Sequence, residues 1–170
     1  FGVNESRDCL DWMRFAIDHF GSDCRLMLTG ISMGAATVMI AAGEDLPKNI
    51  IGVLADCGYT CAKDIIKVVI KQMGLPADLS YPFVKLGAKL FGHFDLEKYS
   101  PVEALKHCNV PVIFFHGEAD DFVPCYMSEE NYAVCTGRKK LVTVPGAGHG
   151  LSILFDPEGY RAAMKEFFGA

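Results

Sequence analysis

The stretch Arg25-Leu26-Met27-Leu28-Thr29-Gly30-Ile31-Ser32-Met33-Gly34-Ala35-Ala36 runs from a short apolar segment, through a glycine-flanked serine, into residues that favour helix. The apolar run 25–30 has the length and closing glycine of a buried strand, and Met33 to Ala42 reads as a helix apolar nearly all round. Gly30-Ile31-Ser32-Met33-Gly34 then fits G-x-S-x-G at a strand-to-helix turn. Such a turn strains the serine backbone, requires neighbours without bulk, and thrusts the hydroxyl out at the carboxyl end of a sheet. The helix N-terminus behind it offers N–H groups to a developing oxyanion, the amide of Met33 first among them.

Working outward, the pattern alternates. An opening helix within 1–20 places Leu10, Trp12, Met13, Phe15, Ile17 and Phe20 on a broad apolar face, with Asn4 or Ser6 as its cap. Further strands are expected at 50–55, 110–115 and 140–144, and further helices at 62–73, near 101–106, at about 126–135 and at 157–168. The segment 75–94, rich in Leu, Phe and Tyr, reads as a helical insertion that lengthens one crossover and forms a candidate cap. Strands alternating with helices imply a parallel sheet flanked by helices, an α/β fold in one domain spanning 1–170.

A serine hydroxyl needs a base and the base needs an acid. His149 lies in Pro145-Gly146-Ala147-Gly148-His149-Gly150, a glycine-rich loop after the last strand that can carry an imidazole back over Ser32. His19, His93 and His107 lie on helical or connecting segments, and His116 ends a strand within another motif. For the acid, His116-Gly117-Glu118-Ala119-Asp120-Asp121-Phe122-Val123-Pro124 offers Asp120 directly after a strand. Asp56, at the end of the preceding strand, and Asp121 remain alternatives, while Glu118 reads as a solvated turn residue. The order Ser32, Asp120, His149 is that of α/β-hydrolases. Phe83, Leu86, Leu90 and Phe91 are candidates to line an acyl pocket under the cap, and Tyr59 to face it.

Composition narrows the rest. The 170 residues carry a net charge of −5 with 22% charged residues and no basic run, so nucleic acid and anionic membrane are poor partners. Seven scattered cysteines, an odd number, read as reduced thiols in a reducing, cytoplasmic compartment. No apolar run is long enough to span a bilayer. Neither a metal nor an organic cofactor is expected: Gly30 to Gly34 lacks the lysine of a P-loop and dinucleotide-motif spacing, and the pair Cys57 and Cys61 has no second pair at a zinc-like spacing.

The segments G-I-S-M-G-A-A, A-D-C-G-Y, S-P-V-E-A-L, V-P-V-I-F-F-H-G-E-A-D-D-F-V-P and V-P-G-A-G-H resemble bacterial α/β-hydrolases of the serine esterase group, related to the catalytic domains of prolyl-oligopeptidase-like enzymes. The resemblance covers nearly the whole chain. It implies a triad of Ser32, Asp120 and His149 acting on small-molecule acyl esters through an acyl-enzyme, with a peptidase or amidase, or a truncated non-catalytic module, as the competing readings. Family members carry several strands before the serine turn, and a loop there supplies a second oxyanion donor. Here one helix precedes the turn, so the chain reads as the carboxyl-terminal half of a longer hydrolase. The strand 25–29 then becomes an open edge, expected to pair with another molecule or a second copy.

Overall fold

The structure, a computed structural model, describes residues 1–169. Helix α1 (Glu5–Phe20) leads to strand β1 (Leu26–Ile31), helix α2 (Met33–Ala41) and strand β2 (Ile50–Asp56). Helices α3 (Ala62–Gln72), α4 (Ala77–Phe91) and α5 (Pro101–Ala104), the last continued by a 3-10 turn at Leu105–His107, cross to β3 (Val112–Gly117). Helix α6 (Tyr126–Val134), strand β4 (Lys139–Val144) and helices α7 (Ser152–Phe155) and α8 (Pro157–Phe168) complete the chain. The four strands pair in parallel in the order β1-β2-β3-β4.

The period of two along each strand sorts its side chains into two cores. Leu28, Val53, Ala55, Val112 and Phe114 face α2, Leu105 and Cys135 on one side. Leu54, Ile113 and Phe115 face Tyr160, Ala163 and Phe167 of α8 on the other. Helix α2 is buried along most of its length, as its uniformly apolar sequence requires. All seven cysteines are free thiols, three of them buried.

The two sheet edges differ. β4 carries Lys139 and Lys140, and Lys140 pairs with Glu166 at 2.6 Å, a charged edge of the kind that resists further pairing. β1 is Leu-Met-Leu-Thr-Gly-Ile, without a charge, and among the described residues it pairs with β2 alone.

Two sequence expectations change, at β3 and α1. Strand β3 begins at Val112 rather than at Val110, and it runs on through His116 to Gly117. Helix α1 buries Met13 and Ser6, but Trp12 (68% exposed), Phe15 and Phe20 stay in solvent, because α2 covers one side of it only; Trp12 and Phe15 meet edge to face at 5.5 Å. The insertion 75–94 is one helix, Ala77–Phe91, with Pro82 inside it. Ala77 and Tyr81 pack with Leu96 against Ile66 and Ile70 of α3, which fixes α4 to its neighbour beside the carboxyl end of the sheet.

Candidate active site

Ser32, Asp120 and His149 each stand in a loop that follows a strand. Ser32 follows β1 with φ +56° and ψ −116°, a conformation that costs a non-glycine residue of order 1–3 kcal/mol. Its amide donates to the Asp56 carbonyl at 2.8 Å, which pins the turn to the end of β2. The tightness of the turn explains Gly30: a Cβ there would lie 2.2 Å from the carbonyl carbon and oxygen of Gly34. Gly34 differs from the sequence expectation that both flanking glycines serve to exclude bulk, since a Cβ on it meets nothing within 4 Å. What is needed from residue 34 is the position of its backbone.

The acid and histidine loops are held against each other in the same way. Gly117 ends β3 with its Cα so close to the other loop that a Cβ would sit 2.2 Å from the Ala147 carbonyl oxygen. Ala119 N–H donates to that same oxygen at 3.0 Å. With the two loops joined, His149 Nδ1 lies 2.8 Å from Asp120 Oδ2, and His149 Nε2 lies 2.9 Å from Ser32 Oγ.

The protons follow from the chemistry of the partners. Burial on its own would raise the Asp120 carboxyl, but hydrogen bonds from His116, His149 and the Val123 amide together hold it below the usual carboxylate range. A carboxylate only accepts, so Nδ1 of His149 carries a hydrogen, and in the neutral ring Nε2 is left to accept the Ser32 hydroxyl. Asp120 Oδ1 takes the amides of Phe122 at 3.0 Å and Val123 at 2.8 Å, which locks the carboxylate plane. The Phe122 ring stands edge-on to His149 with centroids 5.0 Å apart.

The alternative acids are engaged elsewhere. Asp56 is fully buried and accepts from Ser152 Oγ and Tyr160 Oη, each at 3.1 Å. Burial raises its pKa, and those two hydrogen bonds reverse only part of the rise. Asp121 is exposed, and its carbonyl accepts from Gln72. Glu118 is exposed and accepts from Thr143 Oγ1 at 2.7 Å.

Ser32 opens onto a cavity of about 460 Å³ walled by Phe1, Met33, Tyr59, Ile66, Val69, Val84 and Phe122 among others, an almost wholly hydrocarbon surface. Tyr59 is among the residues the sequence named, and among the described residues its buried hydroxyl has no hydrogen-bond partner. The α4 residues named with it do not line this cavity. Phe83 (70% exposed), Leu86, Leu90 and Phe91 (86% exposed) lie in solvent, because α4 turns Ala77 and Tyr81 toward α3 and presents Val84 to the cavity. Met33 is the first residue of α2, so its N–H has no acceptor within the helix and is free for an oxyanion.

One group of ligand-type atoms comes together among the described residues. Cys57, Asp120 and His149 each bring one within 4.8 Å of the others. Asp120 and His149 are already bound to each other, and burial, followed by the nearby Asp56, pushes the Cys57 thiol up to about 12. The sequence reading set aside His116, whose Nε2 lies 3.2 Å from Asp120 Oδ2; its spacing of four residues before Asp120 was the available signal. It missed Ser152 and Tyr160.

The chain resembles known proteins both in sequence and in fold. In sequence, the chain is 32% identical over 163 residues to the protein Rv2307c of Mycobacterium tuberculosis, covering 96% of this chain and 50% of that protein. It is 27% identical over 139 residues to the protein YqkD of Bacillus subtilis, covering 81% and 46%. The chain thus spans about half the length of these curated relatives. In structure, it superposes on the Pyrococcus furiosus esterase Pf2001 with a TM-score of 0.73 and 22% identity, over 99% of this chain and 62% of that one. A Mycobacterium tuberculosis puromycin-hydrolyzing peptidase gives a TM-score of 0.73 at 20% identity, over 99% and 25%. Both likenesses establish the α/β-hydrolase fold. The model of the prolyl oligopeptidase family matches residues 1–167, and the chain belongs to that family.

Proposed function

We propose that this chain is a serine hydrolase that cleaves acyl esters through Ser32, with His149 as base and Asp120 as the acid that orients it. The observation that carries the reading is the continuous hydrogen-bonded line from Asp120 Oδ2 through His149 to Ser32 Oγ at 2.8 and 2.9 Å, opening onto an apolar cavity. Ser32 Oγ attacks the acyl carbon while His149 Nε2 takes its proton. The Met33 amide receives the oxyanion, and His149 returns the proton to the departing alcohol. Water then repeats the sequence on the acyl-enzyme and frees the acid. The hydrocarbon walls favour an uncharged acyl group of small to medium size, and the unpartnered Tyr59 hydroxyl offers one hydrogen bond to it.

A second reading, an amidase or peptidase, draws on the family itself and on the puromycin-hydrolyzing peptidase among the structural relatives. Hydrolysis rates on p-nitrophenyl esters of graded acyl length and on the matching peptide anilides separate the two. The ester reading expects ester turnover to exceed anilide turnover and to peak at an acyl length that fills the cavity. Faster anilide cleavage overturns it.

A further inference from the structure

Asp120 has two histidines, and the proposed reaction uses one of them. His116 lies one residue before the end of β3 and is completely buried. Its Nε2 lies 2.8 Å from the Val123 carbonyl oxygen and 3.2 Å from Asp120 Oδ2, while its Nδ1 lies 2.6 Å from Ser128 Oγ on α6. A carbonyl can only accept, so Nε2 carries a hydrogen, and that hydrogen points between Val123 and Asp120. The Ser128 hydroxyl, 2.6 Å from Nδ1, holds the other side of the ring. Asp120 Oδ2 is therefore shared between His149 and His116, and both of its oxygens are occupied by fixed donors.

We propose that His116 is a positioning residue for the acid: through Ser128 and Val123 it fixes Asp120, and by sharing Oδ2 it limits how strongly Asp120 holds the protonated form of His149. This rests on the reading of Ser32, Asp120 and His149 as a triad. Besides Asp120, the titratable groups around the His149 imidazole are Cys57 and Asp56 at the end of β2, with Tyr160 of α8 behind Asp56. Helix α2, beneath the serine turn, contributes none. Removing the His116 N–H leaves the whole charge of Oδ2 to His149, so the imidazolium persists to higher pH. It also removes one of the two groups that hold Oδ2, which loosens that oxygen and lowers the maximal rate.

The test is the second-order rate of Ser32 labelling by a fluorophosphonate probe, measured against pH on the whole chain, with thermal melts to confirm folding. His116→Asn keeps an amide near the Nδ1 position but places no donor at Oδ2. His116→Gln returns a donor near the Nε2 position. For His116→Asn the plateau rate is expected to fall about tenfold and the acid limb to move up by about half a pH unit. For His116→Gln most of both effects is recovered. Ser128→Ala, which leaves the histidine in place, shifts the limb in the same direction by less, and it carries the test if His116→Asn does not fold. A folded His116→Asn or Ser128→Ala with an unmoved or lowered acid limb overturns the proposal and leaves the triad standing. So does a His116→Gln that matches His116→Asn. Absence of labelling in the wild type removes the triad reading and this proposal together.

Discussion

Asp120→Asn is isosteric, and the geometry dictates what it does. Oδ1 accepts two backbone amides, from Phe122 and Val123, so the side-chain oxygen of the new amide must stay there. Its NH2 then occupies the place of Oδ2, facing the N–H of His149 at 2.8 Å and the N–H of His116 at 3.2 Å. Donor meets donor. His149 relieves the conflict by moving its proton to Nε2, and Nε2 can then no longer accept from Ser32. Loss of the correct tautomer costs about 10⁴ in turnover in serine hydrolases built this way. Stability falls as well, by roughly 1.5–3 kcal/mol for each hydrogen bond to a charged group that is lost. Steady-state turnover of an activated ester, with a thermal melt on the same sample, reads both effects. A folded Asp120→Asn that retains more than about a tenth of wild-type activity refutes the assignment of Asp120, because no arrangement of the amide satisfies both histidines.

Asp56→Asn provides the contrast, because an amide can both accept from and donate to the hydroxyls of Ser152 and Tyr160; activity is expected to stay within a few-fold of wild type. Burial raises the Asp56 pKa in the folded state, so from about pH 4 upward to that raised pKa the folded chain binds more protons than the unfolded one and stability falls with rising pH. The melting temperature of Asp56→Asn should therefore gain on wild type as pH rises above about 4, and a constant difference contradicts this. Gly30→Ala drives a methyl into the Gly34 backbone and should cost about 3 kcal/mol, seen as a melting point lower by roughly 6–12 °C. Gly34→Ala enters open space and should stay within about 1 kcal/mol of wild type by the same melt. The uncharged β1 edge is expected to pair with a second copy or another chain; light scattering that finds a monodisperse monomer at high concentration contradicts it.

Much of the fold was legible because parallel strands buried on both faces are short uninterrupted apolar runs, as at Ile50 to Ala55, and because α2 has no polar face to mislead. The serine turn and the histidine loop were legible through glycine: Gly30 marks a place where backbones touch, and Gly146 and Gly150, on either side of His149, take the positive φ that turns the loop back. Asp120 was harder to single out, since Asp56 also ends a strand at the same sheet edge. What separates them is Ser152 and Tyr160, about a hundred residues away in sequence, and no local pattern carries that information. The apolar residues of α4 misled for a related reason. Periodicity reports that a helix has an apolar face, but α3 already takes Ala77 and Tyr81, so Phe83 and Phe91 are left in solvent.

The central claim is that Ser32 is the nucleophile, activated by His149. Incubation with a fluorophosphonate, followed by peptide mapping in a mass spectrometer, measures this directly. The account predicts one adduct per chain, on the peptide carrying Gly30-Ile31-Ser32-Met33-Gly34, absent in Ser32→Ala and slowed at least a hundredfold in His149→Ala. Labelling that persists in Ser32→Ala, or that is indifferent to the loss of His149, contradicts it.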